Sequence, residues 1–150
     1  MNAPDSGLGA PYILRSSVAR DLLRGMGAGS ETLYGLPGGP LKAILAHESD
    51  QLATYETHDG ADDIFYILEG SATLTMGGAL VDADEVSPGE WRGTSIEGGH
   101  TQDLWPGDLV IVPRGTPHAR ACPGREVSLF IFKVNQEPPP SAGGSERRQK

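Results

Sequence analysis

The strongest constraint on the fold is how often the chain is told to turn. Pro37-Gly38-Gly39-Pro40, Asp59-Gly60, Gly77-Gly78, Pro88-Gly89, Gly98-Gly99 and Pro106-Gly107 interrupt one short apolar run after another. Glycine supplies positive φ and proline presets φ, so each cluster marks a turn and ends whatever element precedes it. The runs between them are strand-sized. They fall at Glu31–Leu36, Leu41–Glu48, Leu52–His58, Asp63–Leu68, Ser71–Met76, Ala79–Asp82, Thr101–Leu104, Leu109–Val112, His118–Cys122 and Glu126–Val134. Gly77-Gly78 suits a two-residue hairpin turn with Ala79–Asp82 as the return strand. Residues 83–100 read as an irregular insertion, and a loop of that length in a compact domain is more often functional than idle. With no alternation of strand and helix, the pattern predicts an all-β antiparallel barrel or jelly roll.

The ends differ from the middle. Residues 1–14 are expected to form a flexible arm, and residues 137–150, rich in Pro, Gly and Ser, a disordered tail. Residues 15–136 are expected to form one β-barrel domain. Its single short helix runs through Val18–Arg24, capped by Ser16 or Ser17, with Val18, Leu22 and Leu23 as an apolar stripe covering one side of the barrel. The chain has 12 basic and 20 acidic residues, a formal net charge of −8, and no basic stripe; nucleic acid is not an expected partner. Cys122 is the single cysteine, which leaves no intrachain disulfide and no CxxC zinc site. No stretch reaches the ~20 apolar residues of a membrane helix, and residues 1–12 lack the pattern of a secretory signal. A cytoplasmic location is therefore expected.

Two stretches carry chemistry. The first, Tyr55–Gly70, holds Glu56, His58 and Asp63; the second, Pro106–His118, ends on His118. Residues two apart on a strand share a face, so Glu56 and His58 point the same way. If the runs on either side of Asp59-Gly60 pair as a hairpin, Asp63 returns beside His58. Two carboxylates buried together repel, and one must take up a proton unless a cation separates them. A divalent ion makes that set neutral, and mixed nitrogen and oxygen ligation suits Fe, Mn, Ni or Zn. Alternative roles are a turn cap for Asp63 and an exposed strand position for Glu56.

The spacing resembles that of the cupins. Their first motif, G-x5-H-x-H-x3,4-E-x6-G, is matched here by Glu56-x-His58-x4-Asp63-x6-Gly70. Their second, G-x5-P-x-G-x2-H-x3-N, is matched by Gly107-x5-Pro113-x-Gly115-x2-His118, with Cys122 in place of Asn. The resemblance spans roughly residues 40–134. It implies a cupin-type jelly-roll barrel of the small single-domain kind, a metal site at Glu56, His58, Asp63 and His118, and a homodimer. Three positions depart from the pattern: Glu56 stands for His, Asp63 for Glu, and Asp50 for the opening Gly. Glu56 in place of an imidazole removes one unit of positive charge from the loaded site. That marks down oxalate-converting and dioxygenase members as models and favours an isomerase or lyase on a small polar organic substrate. A metal-free epimerase-like cupin and a non-catalytic small-ligand sensor are the competing classes.

Three residues complete the candidate catalytic set. Glu56 can move a proton beside the ion. His100, in a Gly-rich segment, can swing over the site as a shuttle, or remain solvated. Arg120 shares the face of His118 and can hold a substrate carboxylate, or pair with a structural acid. Trp91 and Arg92 are candidates for a lid or for a packed rim.

Overall fold

The computed structural model describes residues 10–136. Helix α1 (Ser16–Gly25) precedes thirteen strands: β1 (Gly29–Tyr34), β2 (Leu41–Ser49), β3 (Tyr55–His58), β4 (Ala61–Gly70), β5 (Ala72–Met76), β6 (Ala79–Val81), β7 (Asp84–Ser87), β8 (Glu90–Gly93), β9 (Ser95–Glu97), β10 (His100–Leu104), β11 (Leu109–Val112), β12 (His118–Ala121) and β13 (Glu126–Asn135). They form two main sheets, ordered β1-β2-β13-β4-β11 and β10-β5-β12-β3-β8-β7, and a small β6-β9 ribbon. All pairings are antiparallel. The expected jelly-roll architecture is what the chain adopts.

The two main sheets enclose one core. Phe65 and Ile67 of β4 and Val127 and Leu129 of β13 are almost wholly buried. They pack with Ala46, Ala72, Leu74, Leu104, Val110, Val112 and Cys122. Phe65 and Ile67, Ala72 and Leu74, Val110 and Val112, and Val127 and Leu129 are each two residues apart, the period at which side chains return to one face. Cys122 packs there rather than facing solvent.

Both expected hairpins are corrected. Ala79–Val81 does not return along β5; β5 already lies between β10 and β12, so neither of its edges is open. β6 pairs instead with β9. Gly77 and Gly78 do have positive φ, 93° and 71°, but they turn the chain off the sheet. A side chain on Gly78 would meet the Glu97 carbonyl oxygen at 2.1 Å. Nor do β3 and β4 pair. Asp59-Gly60 carries the chain from one sheet to the other, because β3 is flanked by β12 and β8 and β4 by β13 and β11.

The expected irregular insertion is also corrected. Residues 84–97 contain β7, β8 and β9. Pro88-Gly89 closes the β7–β8 hairpin, in which Ser87 faces Glu90, and β8 pairs with β3 in full. The predicted helix forms, but its cap is Arg15 with no side-chain bond; the Arg15 carbonyl accepts from the N–H groups of Val18 and Ala19. Ser16 and Ser17 lie inside the first turn, too late to cap it. No helix residue is fully buried: Leu22 and Leu23 are half-buried and Val18 is exposed. Residues 10–14 have no regular structure; the rest of the expected arm and the tail 137–150 lie outside the described residues. No helix among the described residues is long and apolar enough to cross a membrane.

Candidate metal centre

The site is assembled from three neighbouring strands of one sheet and one strand of the other. His118 of β12 faces Glu56 of β3, which faces Arg92 of β8. One row along, His58 faces Glu90. Directly paired residues share a face, so the register alone sends all five side chains to the same side. Asp63 is on β4, in register with Lys133 of β13, and reaches His58 across the barrel interior. The turn before β12 is pinned to β3: Gly115, at φ 79°, donates its N–H to the His58 carbonyl at 2.8 Å. That contact fixes where β12 begins and so where His118 stands.

Two other motif positions have local explanations. Asp50, where the cupin pattern has Gly, adopts φ 49°. Asp tolerates this left-handed region better than most residues, and here its carboxylate also accepts the Gly124 N–H at 2.7 Å. Gly70, by contrast, has no substitute. At φ 77° a Cβ there would lie 2.0 Å from the Glu126 carbonyl oxygen.

Glu56, His58, Asp63 and His118 each offer one donor atom, and the four atoms lie within 4.8 Å of one another. His58 Nε2 is 3.1 Å and His118 Nε2 3.3 Å from Asp63 Oδ2. The same nitrogens are 3.7 and 3.6 Å from Glu56 Oε2. Bonds of about 2.1 Å to a shared ion would set neighbouring donors about 3.0 Å apart at a right angle, or about 3.4 Å at the tetrahedral angle. The observed spacings are of that size. Both Nε2 atoms are buried and neither has a hydrogen-bond partner. The carboxylate oxygens are within reach but not aligned to bond them. Unpaired buried polar atoms are costly, and two of them aimed at one point alongside two carboxylates fit a cation. The four residues therefore make a cluster that can hold a metal.

Each of the four is held from behind. His58 Nδ1 meets Glu90 Oε1 at 2.6 Å, and His118 Nδ1 donates to the Thr116 carbonyl at 3.0 Å. Bonding at Nδ1 directs Nε2 into the cluster. The outer oxygen of Asp63 accepts from Lys133 Nζ at 2.6 Å, and that of Glu56 lies 3.3 Å from Arg92 Nε. Glu90 and Lys133 were missed in the sequence because neither falls in a motif. The signal for Lys133 was its place on the inward face of β13, two residues beyond Ile131. Glu90 could be found only once residues 84–97 were recognised as strands.

Electrostatics follow from this arrangement. Burial opposes the charge of Asp63, but His118, His58 and Lys133 outweigh it and hold the carboxyl far below its usual range. Burial likewise works against Glu56, and the two imidazoles overcome it in the same direction. Burial also disfavours charge on His58, yet Asp63 and Glu56 push it up to about 10. His118 is raised against the same burial by the same two carboxylates, Asp63 first. The four candidate ligands and a dipositive ion sum to zero, and the charged groups around them shift the balance. Arg92 and Lys133 add two positive charges and Glu90 one negative, while Arg120 and Glu48 cancel. With a dipositive ion, the whole set carries one net positive charge.

The remaining candidates sit differently. Arg120 donates from Nε and Nη2 to both oxygens of Glu48, at 2.9 and 2.6 Å, and stacks 4.5 Å above the Phe65 ring. Its fork is occupied by a structural acid. His100 is not brought to the cluster. It is exposed on β10 and lines a separate cavity with Leu74, Met76 and Leu104. Trp91 donates from its indole to Asp59 at 3.0 Å, so β8 is a wall of the site rather than a lid. Beside the cluster lies a cavity of about 190 Å³ lined by Gln51, Thr54, Glu56, Arg92, His118 and Arg120, all polar.

No family model matches the sequence, and none of the curated proteins matches it. Solved structures do. BH2720 from Bacillus halodurans has a TM-score of 0.60 at 17% identity, over 90% of this chain and 88% of that one. The DMSP lyase DddQ from Ruegeria pomeroyi DSS-3 has a TM-score of 0.52 at 23% identity over 75% of this chain, which spans 49% of DddQ. A cupin-like protein from Thermotoga maritima, TM1010, has a TM-score of 0.50 at 16% identity, over 70% of this chain and 66% of its own. Likeness at such low identity is a likeness of architecture, and the architecture is that of the motifs quoted above: this chain has the cupin fold.

Proposed function

We propose that the protein is a metal-dependent enzyme of the isomerase or lyase class acting on a small polar organic substrate. Glu56, His58, Asp63 and His118 are the ligands in this reading. The observation that carries it is the pair of buried, unpartnered imidazole nitrogens converging on two carboxylates. A bound divalent ion would supply Lewis-acid polarisation of a substrate oxygen.

The chain's own residues supply the rest. Gln51 and Thr54 offer hydrogen bonds to a substrate in the cavity, and the fixed Arg120–Glu48 pair closes one side. Glu56 and His118 are the ligands that line the cavity, and of the two Glu56 is the more open, with 26% of its side chain exposed against 3% for His118. In this reading Glu56 takes a proton from one substrate atom and returns it to another. The polar cavity of about 190 Å³ suits a small polar molecule. The DMSP lyase DddQ is an example of a protein of this fold named for lyase chemistry. A metal-free mechanism with His118 and Asp63 as the base fits less well. The neighbouring carboxylates favour the protonated imidazoles, and an imidazolium cannot accept a proton.

The test is elemental analysis of protein purified without added metal. Wild type is expected to hold about one transition-metal ion per chain. His58→Ala and His118→Ala are expected to hold almost none while keeping the β-type circular dichroism spectrum. Metal-free wild type with full activity after exhaustive chelation would overturn the reading.

A further inference from the structure

Two guanidinium groups border the small cavity, and they are not equivalent. Arg120 is immobilised by the bidentate Glu48 pair and by Phe65 beneath it, with only 15% of its side chain exposed. Arg92 is 52% exposed, and its single ion pair among the described residues is the 3.3 Å contact from Nε to Glu56 Oε1. That is longer than the ~2.7–2.9 Å of a well-formed charge-assisted bond. The terminal nitrogens of Arg92 have no partner among the described residues. Register holds the group at the cavity, since Arg92 faces Glu56 directly across β8 and β3.

From these observations we infer that the cavity receives a small carboxylate, with Arg92 as its receptor. The inference rests on the metal-centre reading and adds the substrate class. Guanidinium and carboxylate match as two parallel hydrogen bonds, and Arg92 is the guanidinium here with donors to spare. The single net positive charge of the loaded site suits a monoanion better than a phosphate dianion. The polar lining offers an acyl chain no apolar surface to pack against. Arg92 thus exchanges a loose contact with Glu56 for a tight one with substrate. The exchange leaves Glu56 free of its cation when a proton has to move.

The inference is tested on cobalt-loaded wild type, Arg92→Gln and Arg92→Lys. Acetate and its neutral counterpart acetamide are the probes, followed by visible absorption of the cobalt. Acetate is expected to bind Arg92→Gln about tenfold or more weakly than wild type. Arg92→Lys should fall between them, keeping the charge without the fork. Acetamide should not distinguish the three proteins. Equal acetate binding by wild type and Arg92→Gln, each with one cobalt per chain, overturns the carboxylate receptor and leaves the metal centre standing. A parallel loss of cobalt and acetate affinity in Arg92→Gln assigns Arg92 to holding Glu56 and overturns it too. Failure of wild type itself to hold cobalt overturns the metal reading.

Discussion

The barrel interior has two layers, and the same strands build both. On β4 the inward face reads Asp63, Phe65, Ile67; on β13 it reads Val127, Leu129, Ile131, Lys133. In the apolar layer, Phe65, Ile67, Val127 and Leu129 are almost entirely removed from water, each with a transfer gain of about 1.5–3 kcal/mol. In the polar layer, His58, Asp63 and His118 are buried nearly as deeply, but there burial opposes every charge. The first layer holds the fold whether or not an ion is bound. The second is costly to bury and becomes favourable when opposite charges meet in it. One alternating pattern can therefore specify both a core and a site, and the residue type at each inward position decides which.

Removing material from the apolar layer should have the largest effect. Leu129→Ala is expected to cost about 2–5 kcal/mol, read by thermal melting, and to cost the same with and without chelator. A penalty that shrinks when metal is present would show that the layers are coupled. Next comes the support behind His58. Glu90→Ala should weaken metal binding about 10–100-fold, measured by competition with a chromogenic chelator, with Glu90→Gln milder because it keeps an acceptor. Neither should change the melting temperature of the chelated protein by more than a few degrees, as expected for a residue whose side chain is 43% exposed.

The smallest effect is the pH dependence of the chelated protein. His58 and His118 are raised above their ordinary value of 6.5. Their contribution is therefore complete below about pH 6.5; that of His58 is lost as the pH rises through about 10, and that of His118 is lost in the same direction. The lowered Asp63 and Glu56 contribute in the opposite sense, and their share is lost on acidification. The melting temperature without metal should decline by several degrees from pH 6.5 towards pH 10. Over the same range metal binding should strengthen, since it competes with fewer protons. The Leu129→Ala penalty should not change with pH.

Much of this was legible in the sequence. Strand positions followed from turn chemistry, and the two motif spacings brought Glu56, His58, Asp63 and His118 to one place. Strand partners were not legible. Asp59-Gly60 and Gly77-Gly78 both state that the chain reverses, and neither states which edge is open to receive it. In this fold β3 and β5 are already flanked on both sides, so the chain leaves the sheet at each turn. That error had a second consequence. With β8 unrecognised as the partner of β3, nothing pointed to Glu90, and for Arg92 the sequence left both a lid and a packed rim open. Lys133 could be put on the inward face of β13 by its spacing from Ile131, but its meeting with Asp63 lies in a long-range register that no local pattern encodes.

Asp63 is the only one of the four candidate ligands that comes from the β1-β2-β13-β4-β11 sheet. A cation held by all four would work as a rivet through both halves of the sandwich, and that one short arm would determine whether it clamps them or merely decorates one side. Losing the ion should then loosen the seam at this end first, with amide exchange rising in β3, β12 and the start of β4 while the apolar end stays closed.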